Sequence, residues 1–512
     1  MKRKTGVSII LAMVLTASLL ATGCGKSSGS GSSGSSGSSD DSVRIGLTAD
    51  PGGFDPQVEL DATAMLVMTN LYDTLINSKD GCSTDIQPQV AESWDVSEDA
   101  LTYTFHLRDD VTFHNGKALT ADDVVYSINR TATEPETASY CDAIDTVTAD
   151  DDYTVTVKLK YAFANFLQNL GCGFFGIVDQ EEVEASGDDY GRNPVGTGPY
   201  VFKEWVSGDS VTLEANEDYW GGAPEIKTIT YKVLTDSSTA FIALENNEID
   251  ALPNADFVDV SNMDNDELTV YAAPSASYYH LGFNVTASPF DNEAVRQAIN
   301  YALDKDAILQ GANNGDGVVT NGPLNETMEG YDADEPAAND YDLDKAKELM
   351  AEAGYADGFD VTIKAISTDQ KIGEVIQDQL KQININVNLD VMEKATFFEV
   401  MGSGDYEMYI CSLNWPDADN MLTYLFDSEG PFNWAQTYSN PEIDELLVKA
   451  RSSMDADERV EIYHQIVMLT DEDCNKIPLY FPNQYLVANQ AVEGITVVDN
   501  CYFPVAEWSW AE

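Results

Sequence analysis

Residues 359–391 constrain this chain more than any other stretch. Val361 and Ile363 alternate with polar residues, as in a strand with one buried face. Ile372, Val375, Ile376 and Leu380 follow at helical spacing. Asn384 then stands where a helix ends in the left-handed conformation, which Asn tolerates. Ile385, Val387, Leu389 and Val391 alternate again. A strand–helix–strand unit of this length closes with a right-handed crossover and parallel strands. The fold class is therefore α/β, with a largely parallel sheet.

Other segments agree. Residues 43–47 open the fold as a strand. Tyr103, Phe105 and Leu107 share one strand face, and Tyr153, Val155, Val157 and Leu159 another. Thr120 and Asp123 form a capping box ahead of a helix that turns Val124, Val125 and Ile128 inward. Val295, Ala298, Ile299, Ala302 and Leu303 predict one amphipathic helix within 291–309. Asn440 caps and Pro441 opens a long helical pair that reaches about residue 473. Pro478 and Pro482 bracket an extended segment. No 20–50-residue repeat is visible, and the architecture has more than one lobe.

The chain has 512 residues, which corresponds to about three domains or subdomains. It carries 27 Lys and Arg against 88 Asp and Glu, a net charge of −61. With 10% aromatics it is no acidic disordered chain. So negative a surface repels phosphate backbones, which excludes nucleic acid as a partner. Neutral or cationic solutes suit that field better than strongly anionic ones.

The N-terminus gives an address. Lys2, Arg3 and Lys4 precede a mostly apolar stretch over 7–20, too short for a membrane span and right for a signal peptide. It ends in Leu20, Ala21, Thr22, Gly23 and Cys24, which resembles the lipobox of bacterial lipoproteins. The resemblance implies cleavage after residue 23 and lipidation of Cys24. Residues 25–39 are almost all Gly and Ser, a flexible tether with a reach of about 20 Å. No later stretch is apolar over 18 residues.

Catalytic and metal constellations are thin. His106, His114, His280 and His464 are scattered and suit packing or hydrogen bonding. Cys82, Cys141, Cys172, Cys411, Cys474 and Cys501 lack C-x-x-C spacing, so no zinc site is expected. They allow fifteen disulfide connectivities or none. There is no G-x-S-x-G elbow and no phosphate-binding P-loop. The acidic cluster at Asp332 and Asp334 lacks the calcium-loop spacing.

Several long segments resemble the extracytoplasmic solute-binding proteins of peptide/nickel-type ABC importers. The signature runs from Ala91-Glu-Ser-Trp94 through Tyr103-Thr-Phe-His-Leu-Arg108 and Val111-Thr-Phe-His-Asn-Gly116 to Ser127-Ile-Asn-Arg130. Asn193-Pro-Val-Gly-Thr-Gly-Pro-Tyr200 and Asn216-Glu-Asp-Tyr-Trp-Gly-Gly222 continue it. Leu281-Gly-Phe-Asn284, Val295-Arg-Gln-Ala-Ile-Asn-Tyr-Ala-Leu-Asp304, Ala346-Lys-Glu-Leu-Met-Ala-Glu-Ala-Gly354 and Ile477-Pro-Leu-Tyr480 complete it.

This resemblance implies a two-lobed periplasmic-binding-protein-like α/β fold with an extra N-terminal subdomain. After the signal peptide (1–23) and the lipidated tether (24–41), lobe I comprises 42–75, 195–283 and 480–512. The extra subdomain is 76–194 and lobe II is 284–479. The chain crossings then fall near Asn284 and Leu479. The implied function is capture of a peptide between the lobes and delivery to an ABC permease and its ATPase. The implied receptor is a monomer lipid-anchored on the outer face of a bacterial membrane. It is not an enzyme, and it has no cofactor and no metal. The same receptor role for an oligosaccharide or a metal chelate is the alternative reading, with a lipid-anchored hydrolase behind it.

The resemblance also implies site residues. The family's peptide binders anchor the ligand's α-amino group on an Asp, and Asn414 falls at that place. Asn accepts a hydrogen bond but supplies no charge. Asp417 and Asp419 either replace it or cap the helix that follows. Trp415 is a cleft wall that stacks on ligand, or else core. Asn433 and Trp434 occupy a second cleft loop. Tyr278 and Tyr279 precede the lobe crossing, and neighbouring strand residues face opposite ways, so one of the two meets the ligand. The loop from Asp50, together with Tyr72, borders the cleft from lobe I.

Overall fold

The computed structural model describes residues 41–78, 85–135, 137–334, 341–415, 417–497 and 503–511. The signal-like segment, Cys24 and the Gly/Ser tether lie outside the described residues, as do Cys82 and Cys501.

Two large sheets carry the molecule. The first has seven strands, in the order Leu268–Pro274, Asn483–Asn489, Ala251–Pro253, Ser42–Leu47, Thr228–Val233, Ser210–Ala215 and Tyr200–Val206. Its centre is parallel: Ser42–Leu47 runs alongside Thr228–Val233 in register from Ser42↔Thr228 to Leu47↔Val233. The second has six, in the order Val318–Val319, Lys476–Phe481, Ser277–Phe283, Met408–Asn414, Phe359–Ile366 and Ile385–Met392. A separate four-stranded antiparallel sheet (Ala91–Val96, Thr102–Leu107, Thr154–Leu159, Ile144–Asp151) forms the extra subdomain, packed against the helix Ala121–Thr131.

The unit at 359–391 folds as its pattern dictates. Phe359–Ile366 and Ile385–Met392 pair in parallel, Phe359 opposite Ile385 and Ile366 opposite Met392. The helix Gln370–Leu380 buries Ile372, Ile376 and Leu380 in one core with Val361, Ile363 and Ile385. Asn384 closes the connection at φ 63° and ψ 19°. Helix and sheet approach closely at Gly373, where a Cβ would lie 2.5 Å from Leu389. The caps also form. Thr120 N donates to Asp123 Oδ2 at 3.0 Å, and Asn440 Oδ1 accepts from Glu442 N at 3.0 Å ahead of the helix Pro441–Ser452.

Three expectations change. Neither large sheet is largely parallel. In the first only Ser42–Leu47 has two parallel neighbours, Thr228–Val233 and Ala251–Pro253, and in the second only Phe359–Ile366 does, Ile385–Met392 and Met408–Asn414. Every other pair is antiparallel: a short turn joins Tyr200–Val206 to Ser210–Ala215, and Lys476–Phe481 and Asn483–Asn489 return against Ser277–Phe283 and Leu268–Pro274. The single helix within 291–309 is two, Glu293–Ala302 and Lys305–Asn313. Leu303 leaves the helix at φ −96° and ψ 112°, and Asp304 turns its carboxylate onto Ala307 N at 2.9 Å, which starts the next one. The chain also changes sheets earlier than Asn284 and later than Leu479. Ser277–Phe283 pairs with Met408–Asn414 and Lys476–Phe481, so it belongs wholly to the second sheet. Leu268–Pro274 and Asn483–Asn489 pair in the first. The crossings are therefore Ser275–Ala276 and Pro482, each squeezed between two strands.

Candidate functional site

In open α/β sheets, ligands bind outside the carboxyl ends of the strands. In the second sheet, Phe359–Ile366, Ile385–Met392 and Met408–Asn414 run parallel, so Asp369, Lys394 and Asn414 follow their carboxyl ends on one edge. Ser277 pairs with Asn414 and Tyr279 with Ser412, which brings the start of Ser277–Phe283 to the same edge. Both chain crossings lie there too.

Asn414 is exposed at the end of its strand. Trp415 is half-buried, its ring centre 4.4 Å from that of Tyr424 and 5.9 Å from that of Phe432. Its indole Nε1 is buried without a hydrogen-bond partner. This pair offers a neutral amide and an aromatic wall, the elements of a site that stacks on a ligand and hydrogen-bonds to it.

Asp417 and Asp419 do different work. Asp417 is the N-cap of the helix Ala418–Phe426, accepting from Asn420 N at 2.9 Å and Asn420 Nδ2 at 2.7 Å. Asp419 is buried and takes Arg451 Nε on Oδ2 at 3.1 Å, while its Oδ1 has no partner. Burial pushes the Asp419 carboxyl up to about 6 against the pull of Arg451. The capping alternative thus describes Asp417, and an ion pair describes Asp419.

Three expected ligand contacts are committed inside the second lobe. Tyr278 is fully buried and stacks on His280 at 5.0 Å and against Phe481 at 5.5 Å. Asn433 staples its own loop: Nδ2 donates to the carbonyls of Asp427, Ser428 and Tyr438, and Oδ1 accepts from Tyr438 N at 3.1 Å. Trp434 is buried against Phe398 and Phe432. Tyr279 faces the opposite way from Tyr278, is half-buried, and stacks on Tyr480 at 4.8 Å. From the first lobe, Asp50 accepts from Trp205 Nε1 at 3.1 Å and Gly208 N at 2.9 Å, and Tyr72 donates to Phe54 O at 2.8 Å. Both fix loops.

Sequence reasoning missed Asp369. It is buried, accepts from Thr368 Oγ1 at 3.0 Å on one oxygen, and has no partner on the other. Burial pushes this carboxyl up to about 6. The available signal was an acidic residue between the end of a strand and the start of a helix.

His114 explains why two of the motif segments belong together. Its Nε2 donates to Gly198 O at 3.0 Å and its Nδ1 accepts from Gly196 N at 3.3 Å. Burial lowers the imidazole to about 4, so it stays neutral in this bridge. Gly196 is required there, because a Cβ would sit 2.0 Å from Leu71 O.

Among the described residues, no group of three or more His, Cys, Asp or Glu could hold a metal ion, and no helix is long and apolar enough to cross a membrane. Cys141, Cys411 and Cys474 are free, buried thiols.

Two sheets joined by two crossings, with an aromatic and amide edge beside the crossings, define a two-lobed binding protein. Residues 85–433 match the family model for bacterial extracellular solute-binding proteins, family 5. The chain belongs to that family, whose members are binding proteins of ABC importers and not enzymes. It is 31% identical to heme-binding protein A of Haemophilus influenzae, over 84% of this chain and 85% of that one. It is 29% identical to the dipeptide-binding protein of Escherichia coli, over 87% and 90%. The periplasmic binding protein DppA of Helicobacter pylori, solved with the peptide STSA, superposes with a TM-score of 0.76 at 29% identity, covering 92% of this chain and 98% of that one.

Proposed function

We propose that this protein captures short peptides between its two lobes and delivers them to an ABC permease, while a lipid on Cys24 holds it on the outer face of the membrane. The observation that carries the peptide reading is the likeness, over nearly the whole chain, to a dipeptide-binding protein and to a neighbour solved with a peptide. The open edge at Asn414 and Trp415 supports it. An aromatic wall stacks without regard to side-chain identity, and an amide bonds to the peptide backbone. The lobes then close about the Ser275 and Pro482 crossings, which act as a hinge. Closure favours whichever solute makes more contacts with the closed form. Water fills the space that variable side chains leave.

The lipoprotein reading is supported by the small residues before Cys24 and the Gly/Ser tether after it. A heme-binding relative supports one second reading, a metal chelate in the same cleft. Calorimetric titration with a dipeptide, a tetrapeptide and heme separates these. The peptide reading expects one-to-one binding of a peptide, a raised melting temperature and no cleavage products. Heme bound with a shifted absorbance and no peptide heat would replace it.

A further inference from the structure

Two consecutive residues of the extra subdomain reach the second lobe. Ala164 N donates to Arg451 O at 2.8 Å, and Asn165 Nδ2 donates to Asp417 Oδ1 at 3.2 Å. Arg451 lies in the last turn of the helix Pro441–Ser452, where carbonyls lack helical partners. Asp417 caps the helix Ala418–Phe426. One dipeptide thus satisfies the carboxyl end of one helix and adds a donor to the cap of another.

Asn165 is built for this contact rather than for its own helix. It stands at the N-cap position of Phe166–Leu170, where an Asn side chain ordinarily turns its oxygen onto the helix amides. Here it caps nothing and sends its amide outward. Tyr424 of the second lobe lies near Ser139 of the subdomain, and the ring of Tyr424 is the one that meets Trp415. The subdomain continues by chain only into the first sheet. These bonds therefore join the lobes independently of the two crossings, and they must break when the lobes part.

We propose that the Ala164–Asn165 dipeptide is a latch, holding the extra subdomain against the second lobe in the closed form and releasing it as the lobes separate. The bonds suit that task. One backbone bond and one amide–carboxylate bond bias a closure equilibrium without locking it. Trp415 leans on the same tyrosine, so a ligand against that wall bears on the latch. The inference rests on closure of the lobes as described above.

Hydrogen exchange at the Ala164 amide tests it in the full-length protein, ligand-free and with a saturating dipeptide. The latch predicts protection of that amide in the wild type. In Asn165→Ala, exchange should be ~5-fold faster, with the unfolding midpoint lowered by no more than the loss of that one bond. In Asn165→Asp, which sets two carboxylates face to face, it should be faster again. Dissociation of a bound dipeptide should quicken in the same order. An Ala164 amide that exchanges at the unprotected rate in the wild type in both states, or equally in all three proteins, overturns the proposal. A protected Ala164 in a protein that binds no dipeptide keeps the latch and removes the peptide reading.

Discussion

The amide of Ser275 donates to the carbonyl of Pro482 at 3.0 Å, so the two chain crossings are bonded to each other. The second lobe grips the same point. Asn325 Nδ2 donates to Ser275 O at 3.0 Å, and Asp316 Oδ1 accepts from Asn483 Nδ2 at 2.8 Å and from the Tyr485 hydroxyl. The crossing is thus narrow, hydrogen-bonded and made of few residues, as a hinge requires.

Asn325→Ala should loosen it. The change strips the bond to Ser275 O together with the two that Asn325 Oδ1 accepts from Thr327, and costs on the order of 2 kcal/mol. Chemical denaturation should read that loss, and scattering from the ligand-free protein should show a larger radius of gyration than the wild type.

Asn414→Asp should sharpen amine recognition. The side chain is exposed beside Trp415, so a carboxylate placed there meets a ligand ammonium without prior burial. A charge-assisted bond is worth about 2 kcal/mol, or ~30-fold in affinity. Free-amine peptides should gain over their N-acetylated forms. Equal affinities before and after the change would remove Asn414 from the ligand's amino end.

Lys476 should be a stability liability. It is buried, its Nζ donates to Leu425 O at 2.7 Å, and it lies 4.9 Å from the Phe426 ring centre. Burial pulls the ammonium down to about 7. The unfolded lysine, near 10.4, holds its proton more tightly, so stability falls as pH drops from about 10.4 to about 7 and is level below. Lys476→Met should add on the order of 2 kcal/mol at pH 7 and little near pH 10. Melting temperatures at the two pH values check this.

His280 should set part of the acid limit. It is fully buried between Tyr278 and Tyr409, and burial, aided by Lys476, lowers it to about 3. The unfolded state takes up the proton first, so stability present above about pH 6.5 is lost as pH falls toward 3. His280→Phe should flatten the decline in melting temperature over that range.

Local chemistry made much of this fold legible. Alternation and a left-handed Asn384 define the parallel unit at 359–391, and Thr120, Asn440 and Pro441 mark real helix starts. The break at Asp304 was harder, because Leu303 continues the apolar stripe while its backbone has already left the helix. The crossings were misplaced by one strand on one side because Ser277–Phe283 alternates equally well in either sheet, and only its pairing with Met408–Asn414 decides. Asn414 and Trp415 lie at a strand's carboxyl end, Asn414 exposed and Trp415 half-buried, a place that the resemblance to solute-binding proteins marks in the sequence. The burial of Tyr278, Asn433 and Trp434 was not legible, because an aromatic or an amide near a cleft looks the same in sequence whether it faces solvent or core. Asp369 and the Asn165–Asp417 contact depend on residues brought together from distant segments, which no local pattern encodes.

Native mass spectrometry of the protein as purified from its own kind of cell tests the central claim most directly. A peptide-capturing receptor should carry a one-to-one adduct that fragments as a peptide of a few residues and is released on unfolding. A protein that emerges with heme, a sugar or no adduct, and that takes up no added peptide, would contradict it.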